Sequence, residues 1–571
     1  MKKSAMLILV FILIIGSCAM AHAATFEKSL NFVKFNEEND GRYAATYDAA
    51  GNITSITAND PDEFNVAASR VPIDLSKAAI DFISKNAAVL NISEPSAFKV
   101  EKLEKSNGIS HILLCHFHKN KRVHGSELSL HMNSAGKVVS VSNGSLPLYD
   151  ISKTGISKIT PAAAVENAEK QIKCAELRGK PAVEEVISAK NKIAVEAYKV
   201  VIPSLEPLGD FVCIVNAENG NIIESYDIMA HAAHSNSGAA AHSSLKPGST
   251  GAAASSGSHS GAVYIFNPLK CNITNEPVLN LVAKPRGLQG KWATVLNAHD
   301  PLAAPDQSGN YIYPADNTHF DEVNAYYHVD KIHDYYKIYG FTGLDRSMTV
   351  TVHYGTAYDN AFFSPADGTL SIGDGNKLND LSKEESVIYH EYTHAVTTAM
   401  AGNIPYSAES GAMNEALSDY FACTISNDPE VGEWAMAKMH KPYIRTLVNK
   451  AHYPEDIHNE VHADSVIYSG ALWDLRSALG PNADKIVHFS RNYLRGISAP
   501  TFADGLNAIL TADKEANRGI GADKIKKVFE ARGIKAKQAP STRSELRNSL
   551  EFESLNGNNE ALRMLNTLDE Q

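Results

Sequence analysis

The sequence predicts an α+β protein built from several modules, and three observations carry that reading. At roughly 100 to 200 residues per domain, 571 residues are too many for one small module. A stretch from His231 to Ala262 is almost wholly Ala, Ser, Gly and His without periodicity, the composition of a flexible linker, and it splits the chain in two. Strand and helix periodicities occur on both sides of it, intermixed in front and running from strands to helices behind. With 44% hydrophobic and 21% charged residues, the composition excludes wholesale disorder, a collagen-like repeat and a multi-span membrane protein. A formal net charge of -12 favours no polyanionic partner, so nucleic acid is not expected.

Taken in order, the chain opens with Lys2 and Lys3, an apolar run from Met6 to Ile15, and small residues ending Ala21-His22-Ala23. This reads as a secretory signal peptide over residues 1–23, too short in its apolar part to span a membrane. The run Ile15-Gly16-Ser17-Cys18 is a lipoprotein-like alternative, and a membrane association is expected only if Cys18 carries a lipid. The remaining cysteines, Cys115, Cys174, Cys213, Cys271 and Cys423, are odd in number and scattered, which is neither a disulfide framework nor a metal-ligand spacing.

Residues 71–145 begin with a helical pattern (Leu75, Ala78, Ile80, Phe82, Ile83) and continue as strand-like runs His111–His118, Glu127–Asn133 and Lys137–Ser142. A second small module starts at Thr160-Pro161, where a proline suits a first helical turn. It runs through a helix to Ile172 and strands Ala194–Ile202 and Phe211–Ile223, with Glu218-Asn219-Gly220 as a turn. The linker histidines His231, His234, His242 and His259 match no ligand pattern. Behind the linker come strand-like runs Val263–Phe266 and Met348–Val352, then mostly helical patterns to about residue 534. The aromatic helix Asn324–Phe341 reads as core. The last segment, 536–571, is polar with weak helical periodicity and no assigned role.

The chemistry concentrates in two helical stretches. Ser386–Ala401 holds His390-Glu391-Tyr392-Thr393-His394, whose histidines at i and i+4 share one helix face and can bind one Zn²⁺, with Glu391 turned toward a bound water. Ser410–Phe421 places Glu415 and Asp419 again at i and i+4, on a helix made apolar by Ala412, Leu417, Tyr420 and Phe421. Zinc needs a third protein ligand and a group to orient its imidazoles. Glu415 supplies the ligand and Asp419 accepts the other N–H of a ligating histidine.

HEYTH followed by ESGAMNEALSD resembles the thermolysin-like gluzincin metallopeptidases, with the fungalysins close by, and the likeness extends over most of residues 263–534. The resemblance implies a two-lobed catalytic domain, with a β-rich N-terminal lobe over 263–400 and a helical C-terminal lobe over 401–535. It implies roles for Tyr406 and His462 as donors to the reacting carbonyl, for Asn360 and Ala361 as the substrate strand, and for Arg445 on a substrate carbonyl. Val387 and Ile444 stand where the family lines its pocket for the residue after the cut bond, implying a preference for large apolar residues. The stretch HGSELSLHMNSAGKVVSVSNGSL resembles the fungalysin/thermolysin propeptide motif, and residues 160–228 resemble the PepSY module. Together these imply a zymogen whose propeptide modules, 24–150 and 151–230, inhibit and chaperone the enzyme. The family's paired-calcium positions are Ser386 and Ser426 here, so that site is not carried over, and calcium elsewhere in the chain is left open. The acid that orients His462 is left between Asp456 and Glu460.

The function expected is therefore a secreted zinc endopeptidase acting on peptide or protein substrates, extracellular or periplasmic. The alternative is a catalytically idle binding protein, secreted or lipid-anchored, whose front half is the working part. The retained Glu391 and complete ligand set argue against it.

Overall fold

A computed structural model of the chain describes residues 26–48, 50–67, 69, 72–146, 158–189, 194–231, 259–536, 538–555 and 558–570. The signal-peptide run and Cys18 lie outside the described residues. Among the described residues, no helix is long and apolar enough to cross a membrane.

The front half opens with a helix over 26–38 and the hairpin Tyr43–Tyr47 with Ile53–Ala58, none of which stood out in the sequence. Helix Leu75–Lys85 starts where Asp74 accepts the Lys77 N–H, and it buries Ala79 and Ile83. Four antiparallel strands follow, Phe98–Ser106, Ile109–His118, Lys121–Met132 and Val138–Asn143. In the second module, Thr160 caps helix Pro161–Ile172 and Lys173 closes it in the left-handed region. Strands Ala182–Ser188, Val195–Glu206, Gly209–Asn216 and Ile222–Asp227 complete it. The two modules share one 11-stranded sheet. The seam is parallel and two residue pairs long, Arg122 with Val186 and Val123 with Ile187.

The expected linker over 231–262 is shorter at both ends. Ala230–His231 is a strand paired with Ala361–Ser364, and His259–Val263 is a strand paired with Thr274–Val278, with the His259 imidazole on the Gly309 carbonyl at 2.5 Å. Of the four linker histidines, His234 and His242 lie outside the described residues. The strand expected at Val263–Phe266 therefore sits four residues earlier, because its pairing partner is fixed by backbone and not by side-chain hydrophobicity.

The N-terminal lobe carries a five-stranded sheet in the order Ala230–His231, Ala361–Ser364, Thr369–Ile372, Met348–Val352, Ala293–Asn297. Helix Thr318–Lys337, capped by Asn317, lies against it six residues ahead of the expected start and buries Tyr326 and Tyr336. The C-terminal lobe is helical, with Ala408–Ser426, Val461–Leu479, Asn482–Ser490, Phe502–Asn517 and Ala522–Glu530. One hydrophobic core runs from the front sheet (Ile56, Val141) into that lobe (Leu506, Ile509), so the front half docks on the helical lobe. Backbones meet where Gly144 faces Gly496. A Cβ on Gly144 would lie 2.2 Å from the Gly496 carbonyl oxygen, and one on Gly496, at φ +90°, 2.9 Å from the Ser129 nitrogen.

The tail is helical, in keeping with its weak periodicity. Arg543–Leu555 and Asn559–Glu570 form a helical pair that packs Leu546, Leu550, Met564 and Leu565 against Leu30 and Val33 of the first helix.

Candidate metal centre and active site

Helix Glu385–Ala401 is buried on nearly every side, with Val387, Ile388, Tyr389, Tyr392, Ala395, Val396 and Met400 in the core and its buried polar groups gathered at the site. It stops at Gly402, φ +87°. Helix Ala408–Ser426 packs across it and ends on Asn427 in the left-handed region. This crossing brings the two i, i+4 pairs face to face. Nε2 of His390 lies 3.3 Å from Glu415 Oε2, and Nε2 of His394 lies 3.2 Å from Glu415 Oε1. The two Nε2 atoms are 2.9 Å apart, and all three side chains are fully buried.

The surrounding hydrogen bonds settle what this cluster needs. His390 Nδ1 donates to Asp419 Oδ1 at 2.8 Å, and His394 Nδ1 is satisfied by Asn414 Oδ1 at 3.1 Å and Ser418 Oγ at 3.0 Å. With the ring protons held at Nδ1, both Nε2 atoms carry lone pairs. Two such nitrogens and an ionised carboxylate facing each other are all acceptors, and a buried set of acceptors calls for a cation. The donor set His₂Glu within tetrahedral reach suits Zn²⁺. The electrostatics agree. Burial would raise Glu415, but the facing imidazoles of His462, His390 and His394 outweigh it and hold the carboxyl well below the carboxylate range, so it stands ionised.

Glu391 is one residue step round the same helix. Both of its carboxylate oxygens are buried with no side-chain donor bonded to them and only the Phe363 backbone N–H near; burial pushes the group up to about 8, with His390, Arg445 and Phe363 opposing. A carboxyl in that state can accept and return a proton near neutral pH.

Tyr406 and His462 converge on the open side. The Tyr406 hydroxyl donates to Glu415 Oε1 at 2.5 Å and sits 3.2 Å from His462 Nε2. Between the two acids left open for orienting His462, the structure selects Glu460: its Oε1 lies 2.7 Å from His462 Nδ1. Glu460 is also the N-cap of helix Val461–Leu479, accepting the His462 and Ala463 N–H groups. Burial would raise it, but His462 and these N–H groups hold it down at about 2. Asp456 instead accepts the His452 N–H at 2.7 Å.

Arg445 turns to the metal cluster. Its Nε and Nη2 grip Asp419 at 2.7 and 2.8 Å, and Nη2 lies 3.5 Å from Glu415. Burial raises Asp419, while Arg445 and His390 together outweigh it and hold it at about 2. Asn360 and Ala361 lie at the start of strand Ala361–Ser364, with Asn360 Oδ1 accepting the Ala361 N–H at 2.9 Å. Val387 is fully buried, and Ile444 packs against the same core beside Gly432, whose N–H reaches Ser386 Oγ at 3.0 Å. Residue patterns alone missed Asn414 and Ser418, although they repeat the i, i+4 spacing one step from Glu415 and Asp419.

At the family's calcium positions, Ser386 donates to Glu384 at 2.9 Å and Ser426 Oγ is buried without a partner among the described residues. Nearby Asp428, Glu430 and Glu433 cluster, but the Lys270 ammonium lies among them, bonded to Asp428 at 2.6 Å and to Glu433.

Residues 290–398 match the thermolysin metallopeptidase catalytic-domain model, and residues 96–145 match the fungalysin/thermolysin propeptide motif. Bacillolysin of Bacillus subtilis is 24% identical over 509 residues, covering 82% of this chain and 91% of its own. Thermolysin of Alicyclobacillus acidocaldarius is 27% identical over 338 residues, 54% of this chain and 58% of its own. Among solved structures, the precursor of protealysin, a metalloproteinase from Serratia proteamaculans, matches at 18% identity and TM-score 0.33, over 42% of this chain and 87% of that one.

Proposed function

We propose, from the premise that the chain is a thermolysin-like zinc metallopeptidase with a fungalysin/thermolysin propeptide, that it is an exported zymogen whose front half, residues 26–231, is a removable prosegment held in the substrate cleft. The observation that carries the catalytic reading is the buried Glu391 carboxylate, with no side-chain donor bonded to it, beside the acceptor-only cluster of His390, His394 and Glu415.

Bound zinc supplies a Lewis acid and a water of lowered pKa. Glu391 takes a proton from the attacking water on its carboxylate and returns it to the leaving nitrogen. Tyr406 and His462 donate to the carbonyl oxygen as charge builds on it, and losing one such donor typically costs about 10² to 10³ in rate. Asp419 and Asn414 with Ser418 hold the two imidazoles in the ligating tautomer, and Arg445 locks Asp419 in place. Substrate lies extended along Asn360 and Ala361 as an added strand. Arg445 reaches a substrate carbonyl, and Val387 with Ile444 favours a large apolar residue after the cut bond.

The reading of the front half as inhibitor rests on where it leaves the fold. Ala230 pairs with Phe363 and His231 with Phe362, along the edge a substrate strand would use, and the Asp227 carbonyl accepts the Tyr406 N–H at 3.2 Å. Arg178 and Asp210 anchor this end on Ser364 and Asp367.

Glu391→Ala tests the catalytic step. It should retain zinc, read by metal content, while casein hydrolysis falls by at least about 10³; turnover near that of the wild type would overturn the assignment of Glu391.

A further inference from the structure

The first and the last described helices meet, and the contact is made by the front half and the tail alone. Leu30 and Val33 of the first helix are buried with Leu546, Leu550, Ala561, Met564, Leu565 and Leu568 of the tail, with Phe26 at the rim. This cluster includes no described residue of 259–536. Opposite faces of the same first helix look elsewhere, since Phe32 and Phe35 belong to the main core.

Backbone contacts continue the attachment. Thr46 bridges Gln538 in antiparallel fashion, and the Ala539 N–H donates to the Ala45 carbonyl at 2.8 Å, so the tail extends the free edge of the prosegment sheet. Asn36 Nδ2 donates to the Ser541 carbonyl at 3.0 Å, and Arg543 pairs with Glu37 at 3.1 Å. The helical pair is braced internally by Arg547, which bridges Glu551 and Asp569. An apolar helix face buries area only against a partner. Here that partner is the segment expected to be discarded, whereas the tail itself is covalently part of the catalytic half.

We propose that residues 538–570 are a clasp that keeps the prosegment docked on the enzyme after the connection between the two halves has been cut. This rests on the reading of residues 26–231 as a removable prosegment. The prosegment is then held at two ends, by residues 227–231 in the cleft and by the tail at its first helix. Cutting the connection does not free it, and opening or removing the clasp weakens its hold, leaving the core it shares with the helical lobe as the remaining attachment. The occupant of the clasp is this chain's own first helix.

The test uses the full chain carrying Glu391→Ala, so that binding is read without activity and a failure of the peptidase reading leaves the result intact. A recognition site for an exogenous specific protease is placed in the segment 248–256, and a different one at Lys535, so that folding is complete before either cut. After the first cut the prosegment should co-elute with the catalytic half on size exclusion. The second cut should raise its dissociation constant at least tenfold, and the freed tail should elute with the prosegment. Leu565→Glu in the uncut tail should weaken retention in the same direction. An unchanged dissociation constant after the second cut, or a freed tail that stays with the catalytic half, would overturn the proposal.

Discussion

At the scale of single residues, the metal cluster is defined less by its three ligands than by what holds their protons elsewhere. Asp419 carries two loads at once, the His390 Nδ1 proton and both bonds from Arg445. Asp419→Ala should weaken zinc binding about 10 to 100-fold in a chelator titration, and unchanged affinity would show that His390 is oriented by something else. Lys270 has a comparable position away from the cleft, with its ammonium standing between Asp428 and Glu433 where a divalent ion would otherwise balance charge. Lys270→Met should lower stability by about 1 to 3 kcal/mol by leaving Glu433 unpaired, and added calcium should recover part of that loss in a melting experiment. The ligands and Glu391 were legible in sequence because helix periodicity converts spacing into direction. The choice of Glu460 over Asp456 was not legible, because it depends on how a loop enters a helix N-terminus.

Among elements, the strand Ala230–His231 pairs along Phe363 and Phe362, and on the proposed reading it is this pairing that keeps substrate out. Asp227, partly exposed at its surface, has its carboxyl walled in by the backbone of residues 228 and 229 and by Asp210, which is itself paired with Arg178. Burial first, then Asp210, pushes Asp227 up to about 7 from an ordinary 3.8, with backbone N–H groups opposing. An acid raised in the closed state is protonated there and ionised when the strand opens, so closure binds a proton between about pH 4 and 7. Closure is therefore strongest below that window and weakens by up to about 1.4 kcal/mol per pH unit as pH rises through it. Hydrogen exchange of residues 226–231, corrected for its intrinsic pH dependence, should show protection falling from pH 4 to 7 in the wild type and a flat profile in Asp227→Asn. Equal slopes would assign the pH dependence to another group. This strand was invisible in the sequence, since it straddles the boundary at which His231 opens the stretch of linker composition, and its pairing is backbone to backbone. The same cause hid the start of strand His259–Val263. Helix Pro161–Ile172, by contrast, is bounded by a cap and a proline that act locally, and it appears where the residues put it.

Over the whole molecule, the front half, proposed above as the prosegment, forms a continuous layer. Its 11-stranded sheet lies on the helical lobe through a shared core, meets it closely at Gly144 and Gly496, enters the cleft at one end and is gripped by the tail at the other. The strand-rich then helical order of the catalytic half could be read from periodicity, because each element's burial pattern is local. The joining of two modules into one sheet could not, since Arg122–Val123 and Val186–Ile187 lie some sixty residues apart and pair over two positions only. Nor could the partner of the tail, whose apolar spacing is readable but whose contact lies at the opposite end of the chain. What the assembly protects is the cluster of His390, His394 and Glu415 with Glu391 beside it, and the account stands on that cluster holding a catalytic zinc ion. The most direct test is metal content measured alongside peptide hydrolysis in the matured enzyme during removal and restoration of zinc. One zinc per chain, activity falling in proportion to zinc removed, and recovery on stoichiometric return are expected. Full hydrolysis by protein stripped of its zinc would contradict a catalytic role for the ion.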